Sequence, residues 1–146
     1  MSTKNQKLVD ELNGLLADYQ IFYQNLRGLH WNVKGAQFFS LHEKYEELYN
    51  ETADVVDEIA ERILMVEGQP LHTFADYVKV SDLKEAGTVT DGSEGVKIVL
   101  DNSQALLKKL YEVLETADGD EGTSALLGDL IGATEKRIWM LKSWLG

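Results

Sequence analysis

Cysteine is absent from this chain of 146 residues. That excludes disulfides, thiolate metal sites and a cysteine nucleophile. Proline occurs once, at Pro70, and strict apolar–polar alternation is scarce, so the chain reads as all-α. No uninterrupted apolar run approaches membrane-spanning length, and the N-terminal stretch MSTKNQKLVDELN has no apolar signal core. Cytoplasmic residence without a membrane partner is therefore the expectation. Basic residues are few, 14 against 25 acidic ones, for a net charge of −11. Such a balance disfavours broad binding to nucleic acid or anionic membranes and permits attraction of cations.

What is present is helical periodicity. Hydrophobic residues make up 44% of the chain, enough for one domain, residues 1–146, with its own core. A first helix is expected from about Asn5 to Val33, with Leu8, Leu12, Leu15, Leu16, Tyr19, Phe22, Tyr23, Leu26 and Leu29 at helical spacing. Gly35 ends it. A second helix spans Phe38 to Glu67, with Ser40 as its cap, and stops at Gly68, Gln69 and Pro70. Residues 70–92 form a long connection with a short helix near Phe74 to Val78, too long for a tight hairpin and suited to a crossover. A third helix is expected from Ser93 to Ala117. A fourth, capped by Thr123 or Ser124, reaches Leu145. Four helices with one long crossover between the second and third match a ferritin-like four-helix bundle.

The second helix carries an unusual stripe. His42 and Glu46 are four residues apart, as are Asp57 and Glu61, so each pair shares a face. At about 100° per residue, the eleven steps from Glu46 to Asp57 return to nearly the same azimuth. Yet His42 and Asp57 stand roughly 22 Å apart along the axis, too far for one metal to bridge. A second copy packed antiparallel about a two-fold axis near Glu51 and Thr52 would bring His42 opposite the partner's Glu61, and Glu46 opposite its Asp57. Two identical His/carboxylate clusters would result. His30, at the end of the first helix, is close enough in a bundle to join His42. Such a donor set suits Fe(II), with Zn(II) or Co(II) as competitors. An in-bundle di-iron centre is not expected, because His30, His42 and His72 follow Arg27, Phe39 and Gln69 by three residues and no Glu-x-x-His exists. A charge run is usually a solvated face, and for any one pair that reading prevails. Two histidines and three acids on one symmetric stripe favour a metal.

These residues also carry a resemblance. The segments His30-Trp31-Asn32-Val33-Lys34-Gly35, Phe38-Phe39-Ser40-Leu41-His42-Glu43-Lys44 and Asp57-Glu58-Ile59-Ala60-Glu61-Arg62 resemble the signature of the Dps-like mini-ferritins. Glu135-Lys136-Arg137-Ile138-Trp139-Met140-Leu141 resembles that family's last helix. The resemblance implies a hollow dodecamer that oxidises Fe(II), usually with hydrogen peroxide, and stores the ferric mineral, which makes the protein a ferroxidase that protects against oxidative stress. It implies His30 and His42 as ligands from one subunit, with Asp57 and Glu61 from the two-fold partner. Glu46 falls where the family commonly has Asp, so the second iron position is the one in doubt. Trp31 sits beside the site in the family, either intercepting oxidising equivalents or serving as an interface aromatic.

The acidic turn from Asp118 to Gly122 has two readings. Acids at a helix N-terminus complement its dipole, worth a few tenths to about 1 kcal/mol. The resemblance implies a three-fold pore through which iron enters, lined by Asp120 and Asp129, with Asp118 and Glu121 at the rim. The alternative function is a nucleoid-associated shell that coats and protects DNA. The N-terminal stretch offers only Lys4 and Lys7 before the helix, and Lys142 and Arg137 read as helix-face or C-terminal-dipole charges, so DNA binding is not expected.

Overall fold

The protein, described by a computed structural model over residues 3–146 with side chains from Asn5 onward, is built from five helices. These are α1 (Thr3–Asn32), α2 (Phe38–Met65), α3 (Phe74–Val80), α4 (Gly92–Thr116) and α5 (Glu121–Leu145). Among the described residues there is no strand, and no helix is long and apolar enough to cross a membrane. The two ends of the chain's apolar periodicity meet in one core, where Leu12, Leu15, Phe22, Leu26, Ile59 and Leu106 are essentially sealed from solvent. α1 packs against α2 and α4, α4 packs against α5, and α3 lies across α1. This is the four-helix bundle expected from the spacing, with α3 inside the crossover.

Polar side chains on α1 fix the path of that crossover. The Asn13 amide donates to Gln69 O at 3.0 Å and its carbonyl accepts from Leu71 N at 2.9 Å. Buried Asp18 accepts from the Ser81 hydroxyl at 2.7 Å and Asp82 N at 2.8 Å, and pairs with Lys109 of α4 at 3.3 Å. Asn25 donates to Lys84 O and accepts from Ala86 N. Buried backbone groups of an irregular segment need such partners.

The helix boundaries differ from expectation in their chemistry. α2 starts at Phe38 with Gln37 in the cap position and no side-chain cap bond. Ser40 is no cap, because its hydroxyl points back and donates to Gln37 O. α4 is capped by Asp91, whose carboxylate accepts from Glu94 N. α5 is capped by Asp120 rather than by Thr123 or Ser124. Its carboxylate accepts from Thr123 N and from the Thr123 hydroxyl. Asp is as good a cap as Ser or Thr, and the first suitable residue before the helix takes the role. At the end of α2 the left-handed residue is Glu67, φ 69°, with Gly68 N bonded to Ile63 O and Glu67 N to Leu64 O. Gly68 serves a different need: a Cβ there would stand 2.6 Å and 2.7 Å from the two methyls of Val9. The glycine, just past the end of α2, lets the chain pass close against Val9 of α1.

One residue read as a surface charge is half-buried. Arg137 reaches inward, where its Nε donates to the Ser103 hydroxyl at 2.9 Å and its guanidinium sits 5.0 Å from the centroid of Phe22. It follows buried Thr134 by three residues and precedes buried Leu141 by four, so helical spacing places it on the buried stripe.

Candidate metal centre

The last turn of α1 and the second turn of α2 cross closely, and that crossing holds His30 and His42 together. Each ring is locked by the other residue's backbone. His30 Nδ1 donates to His42 O at 2.6 Å, and His42 Nδ1 donates to His30 O at 2.8 Å. A carbonyl can only accept, so both Nδ1 atoms carry hydrogen, and Nε2 is the nitrogen that each neutral imidazole would offer to a metal. The rings stack at 3.8 Å with 12° between their planes. Phe38 covers the other face of His42 at 4.8 Å, and Tyr49 meets His30 edge-on at 5.3 Å. Histidines that ligate metals almost always donate their second nitrogen to a carbonyl or carboxylate in this way, which fixes tautomer and direction. His30 is buried while His42 is partly open.

Glu46 joins the pair from the next turn of α2. Its Oε1 lies 3.7 Å from His30 Nε2, and the Tyr49 hydroxyl makes a long 3.5 Å contact to the same oxygen. Asp57 and Glu61 are exposed, farther along α2. Within one chain, no group of three or more His, Asp and Glu among the described residues is gathered to hold a metal. The structure stacks His42 on His30 and sets Glu46 against His30 alone, short of a metal-holding group, and leaves Asp57 and Glu61 farther along the same helix. At the midpoint, Thr52 faces its own core and donates to Leu48 O. The stripe's face at that height presents Asn50 and Ala53, both exposed. Thr52 therefore marks the height of the expected axis and Ala53 its surface.

Trp31 is exposed, and the Arg27 guanidinium lies 4.9 Å from its ring centroid and 5.3 Å from that of Tyr23. His72 is exposed in the crossover, away from the site. The sequence reading overlooked Tyr23, Arg27 and Tyr49. A signal existed: Tyr49 follows His42 by seven residues, and Tyr23 precedes His30 by seven, which returns each to its histidine's side of the helix.

The acidic turn separates into different roles. Asp120 is partly buried and accepts from Arg62 Nη2 at 3.1 Å as well as from Thr123. Burial pushes its carboxyl up, but hydrogen bonds from Thr123 and the Arg62 charge outweigh this and hold it below the usual carboxylate range. Arg62, next to Glu61, also donates from Nε to Thr123 Oγ1 at 2.9 Å. Its guanidinium lies over Gly122, where a Cβ would stand 2.7 Å from it. Asp129 is exposed on α5, nine residues on, which is half a revolution around the helix from Asp120. Asp118 and Glu121 are exposed beside the cap.

A helical bundle with a long crossover and a His/carboxylate donor set defines the ferritin-like class. Residues 9–146 match the ferritin-like domain family. A DNA protection during starvation protein of Porphyromonas gingivalis is 42% identical over 139 residues, covering 94% of this chain and 87% of the relative. DNA protection during starvation protein 2 of Bacillus anthracis is 39% identical over 143 residues, covering 97% and 98%. The crystal structure of a Dps protein from Vibrio cholerae O1, a member of a broad superfamily of ferritin-like diiron-carboxylate proteins, superposes with a TM-score of 0.97 at 46% identity, over 99% of this chain and 92% of that one. The chain belongs to the ferritin-like family, as a Dps-like mini-ferritin.

Proposed function

We propose that this protein oxidises Fe(II) at sites shared between two copies, using hydrogen peroxide, and stores the ferric product inside a dodecameric shell. The observation that carries the reading is the reciprocal locking of His30 and His42 through their Nδ1 atoms, which leaves each ring's Nε2 as its available donor, that of His30 3.7 Å from Glu46. His30, His42 and Glu46 of one copy would meet Asp57 and Glu61 of another, completing a ligand set that one chain lacks. Iron is the substrate here. Imidazoles and carboxylates hold Fe(II) with coordination positions open to peroxide, and carboxylates favour the harder Fe(III) product. Zn(II) and Co(II) would compete for the same donors.

The guiding charge of an iron pore falls to Asp129, which is exposed, while Asp120 anchors the start of α5 to Arg62 of α2. Three copies of an acidic rim would concentrate cations at the opening. The test is an anaerobic Fe(II) titration followed by limiting peroxide, with particle size measured in parallel. The reading expects saturable Fe(II) binding, oxidation of two irons per peroxide and a mineral retained by a particle of shell size. Peroxide consumption without retained iron would contradict storage.

Two relatives are named for DNA protection during starvation, and a second reading is a shell that protects DNA by binding it. A net charge of −11 per chain opposes it. Electrophoresis at near-physiological salt, without divalent metal, is expected to show unretarded duplex DNA. Retardation at sub-micromolar protein would reverse the choice.

A further inference from the structure

One spot on this acidic chain is basic. The groove between α2 and α5 holds a pocket of about 390 Å³, walled by Lys44, Leu48 and Glu51 of α2 and by Lys136, Arg137 and Met140 of α5. Helical register builds it, since residues 44, 48 and 51 share one face, as do 136, 137 and 140. Three cations stand against one carboxylate, on a chain whose net charge is −11. This is not the histidine face of α2. Lys44 lies two residues from both His42 and Glu46, which turns it about 200° from each around the helix.

Arg137 is incompletely satisfied. Its Nε donates to Ser103 and its guanidinium rests near Phe22, but Nη2 is sealed from solvent without a hydrogen-bond partner. Among the described residues no carboxylate forms an ion pair with it. Burial pulls the guanidinium below its ordinary value, and the Tyr19 hydroxyl and Glu51 only partly restore it. A charge drawn out of water without a counter-ion is costly, and an anion in the pocket would supply that partner. Lys44 is engaged by Glu47 at 3.4 Å, both side chains being largely open to solvent. Such a pair is weak and yields readily to a stronger acceptor.

We propose that this groove binds inorganic phosphate, held by Lys44, Lys136 and Arg137 and selected by Glu51. Guanidinium and ammonium groups make charge-assisted hydrogen bonds to oxyanions, with the planar guanidinium suited to two oxygens at once. Glu51 supplies the discrimination. At neutral pH phosphate keeps at least one hydrogen, which can be donated to a carboxylate. Sulfate carries none and meets only repulsion there. A carboxylate among three cations therefore favours phosphate, where a purely basic pocket would take either anion. The volume holds the anion together with bridging waters. Bound phosphate ties α2 to α5 across the groove, and the site needs no iron.

The test uses the assembled protein stripped of metal by chelation. Sodium phosphate is titrated calorimetrically at constant ionic strength, with sodium sulfate in parallel. The parent is expected to bind one phosphate per chain, at least about tenfold more tightly than sulfate, as a charge-assisted hydrogen bond gained by one anion alone allows. Its melting temperature is expected to rise with phosphate and not with sodium chloride of equal ionic strength. Lys44→Gln combined with Lys136→Gln, which leaves the buried core untouched, is expected to weaken phosphate binding about tenfold or more. Glu51→Gln is expected to keep phosphate binding and lose the preference over sulfate. Heat that does not saturate, phosphate bound no more tightly than sulfate, or unchanged phosphate affinity in the double lysine variant would overturn the site. A preference for phosphate kept in Glu51→Gln would overturn its selection by that residue.

Discussion

Asp120 was a candidate for guiding iron, and its surroundings give it a measurable structural task. Its carboxylate caps α5 through Thr123 N, accepts from the Thr123 hydroxyl and pairs with Arg62. Asp120→Ala removes all three. Loss of an N-cap costs about 1 kcal/mol. The Arg62 pair is only partly exposed, 23% and 31%, and after discounting for solvent screening contributes about 0.5–1 kcal/mol. The total is about 2 kcal/mol once the Thr123 hydroxyl loses its acceptor. For a chain of this size that lowers the melting temperature by about 4–8 °C, read by thermal unfolding at fixed protein concentration. Asp120→Asn keeps the cap, since Asn and Asp cap equally well, and should lose less than half as much. The pH dependence has a defined direction. The folded carboxyl is held below its ordinary value of 3.8, so its contribution is fully present above that value and is lost as pH falls through the lower folded one. The gap between parent and Asp120→Ala should therefore close in strong acid. Unchanged melting in Asp120→Ala, or an Asn variant as unstable as the Ala variant, would refute the capping argument.

Other expectations concern the iron chemistry. Asp57→Asn keeps shape but removes a charged donor, and its initial rate of Fe(II) oxidation under limiting peroxide should fall at least about tenfold, since even residues behind the ligands cost that much. Helicity and particle size should not change, and a parental rate would remove Asp57 from the site. Asp129→Asn should slow iron uptake at low ionic strength, with the deficit shrinking as salt screens the field. A deficit independent of salt would count against steering.

The architecture was legible because apolar spacing along 8–29 and 96–114 repeats at the helical period, and because Gly35, Gly68 and Pro70 interrupt it. Cap identity was not legible, since Asp120, Thr123 and Ser124 are all competent caps and only the chain's path selects one. Arg137 misled because a charged residue is ordinarily exposed, yet Thr134 and Leu141 place it on the buried side. At the site, the stripe on α2 gave His42, Glu46, Asp57 and Glu61 as one face. The mutual bonds of His30 and His42 were beyond sequence, because they depend on how closely α1 and α2 cross. Tyr49 was in register but went unread, since a phenol carries no metal-ligand signal.

The central claim is that each site is built from two chains, and co-assembly of two damaged chains tests it directly. One carries His30→Ala and His42→Ala, the other Asp57→Asn and Glu61→Gln. Every site in either homodimer is damaged. In a mixed dimer one site collects all four defects and the other keeps both native histidines and both native acids. With random pairing about half the dimers are mixed, so shells verified as mixed by mass spectrometry should recover roughly a quarter of parental Fe(II) oxidation on a two-fold geometry. Mixed shells no more active than either damaged parent would contradict the shared site.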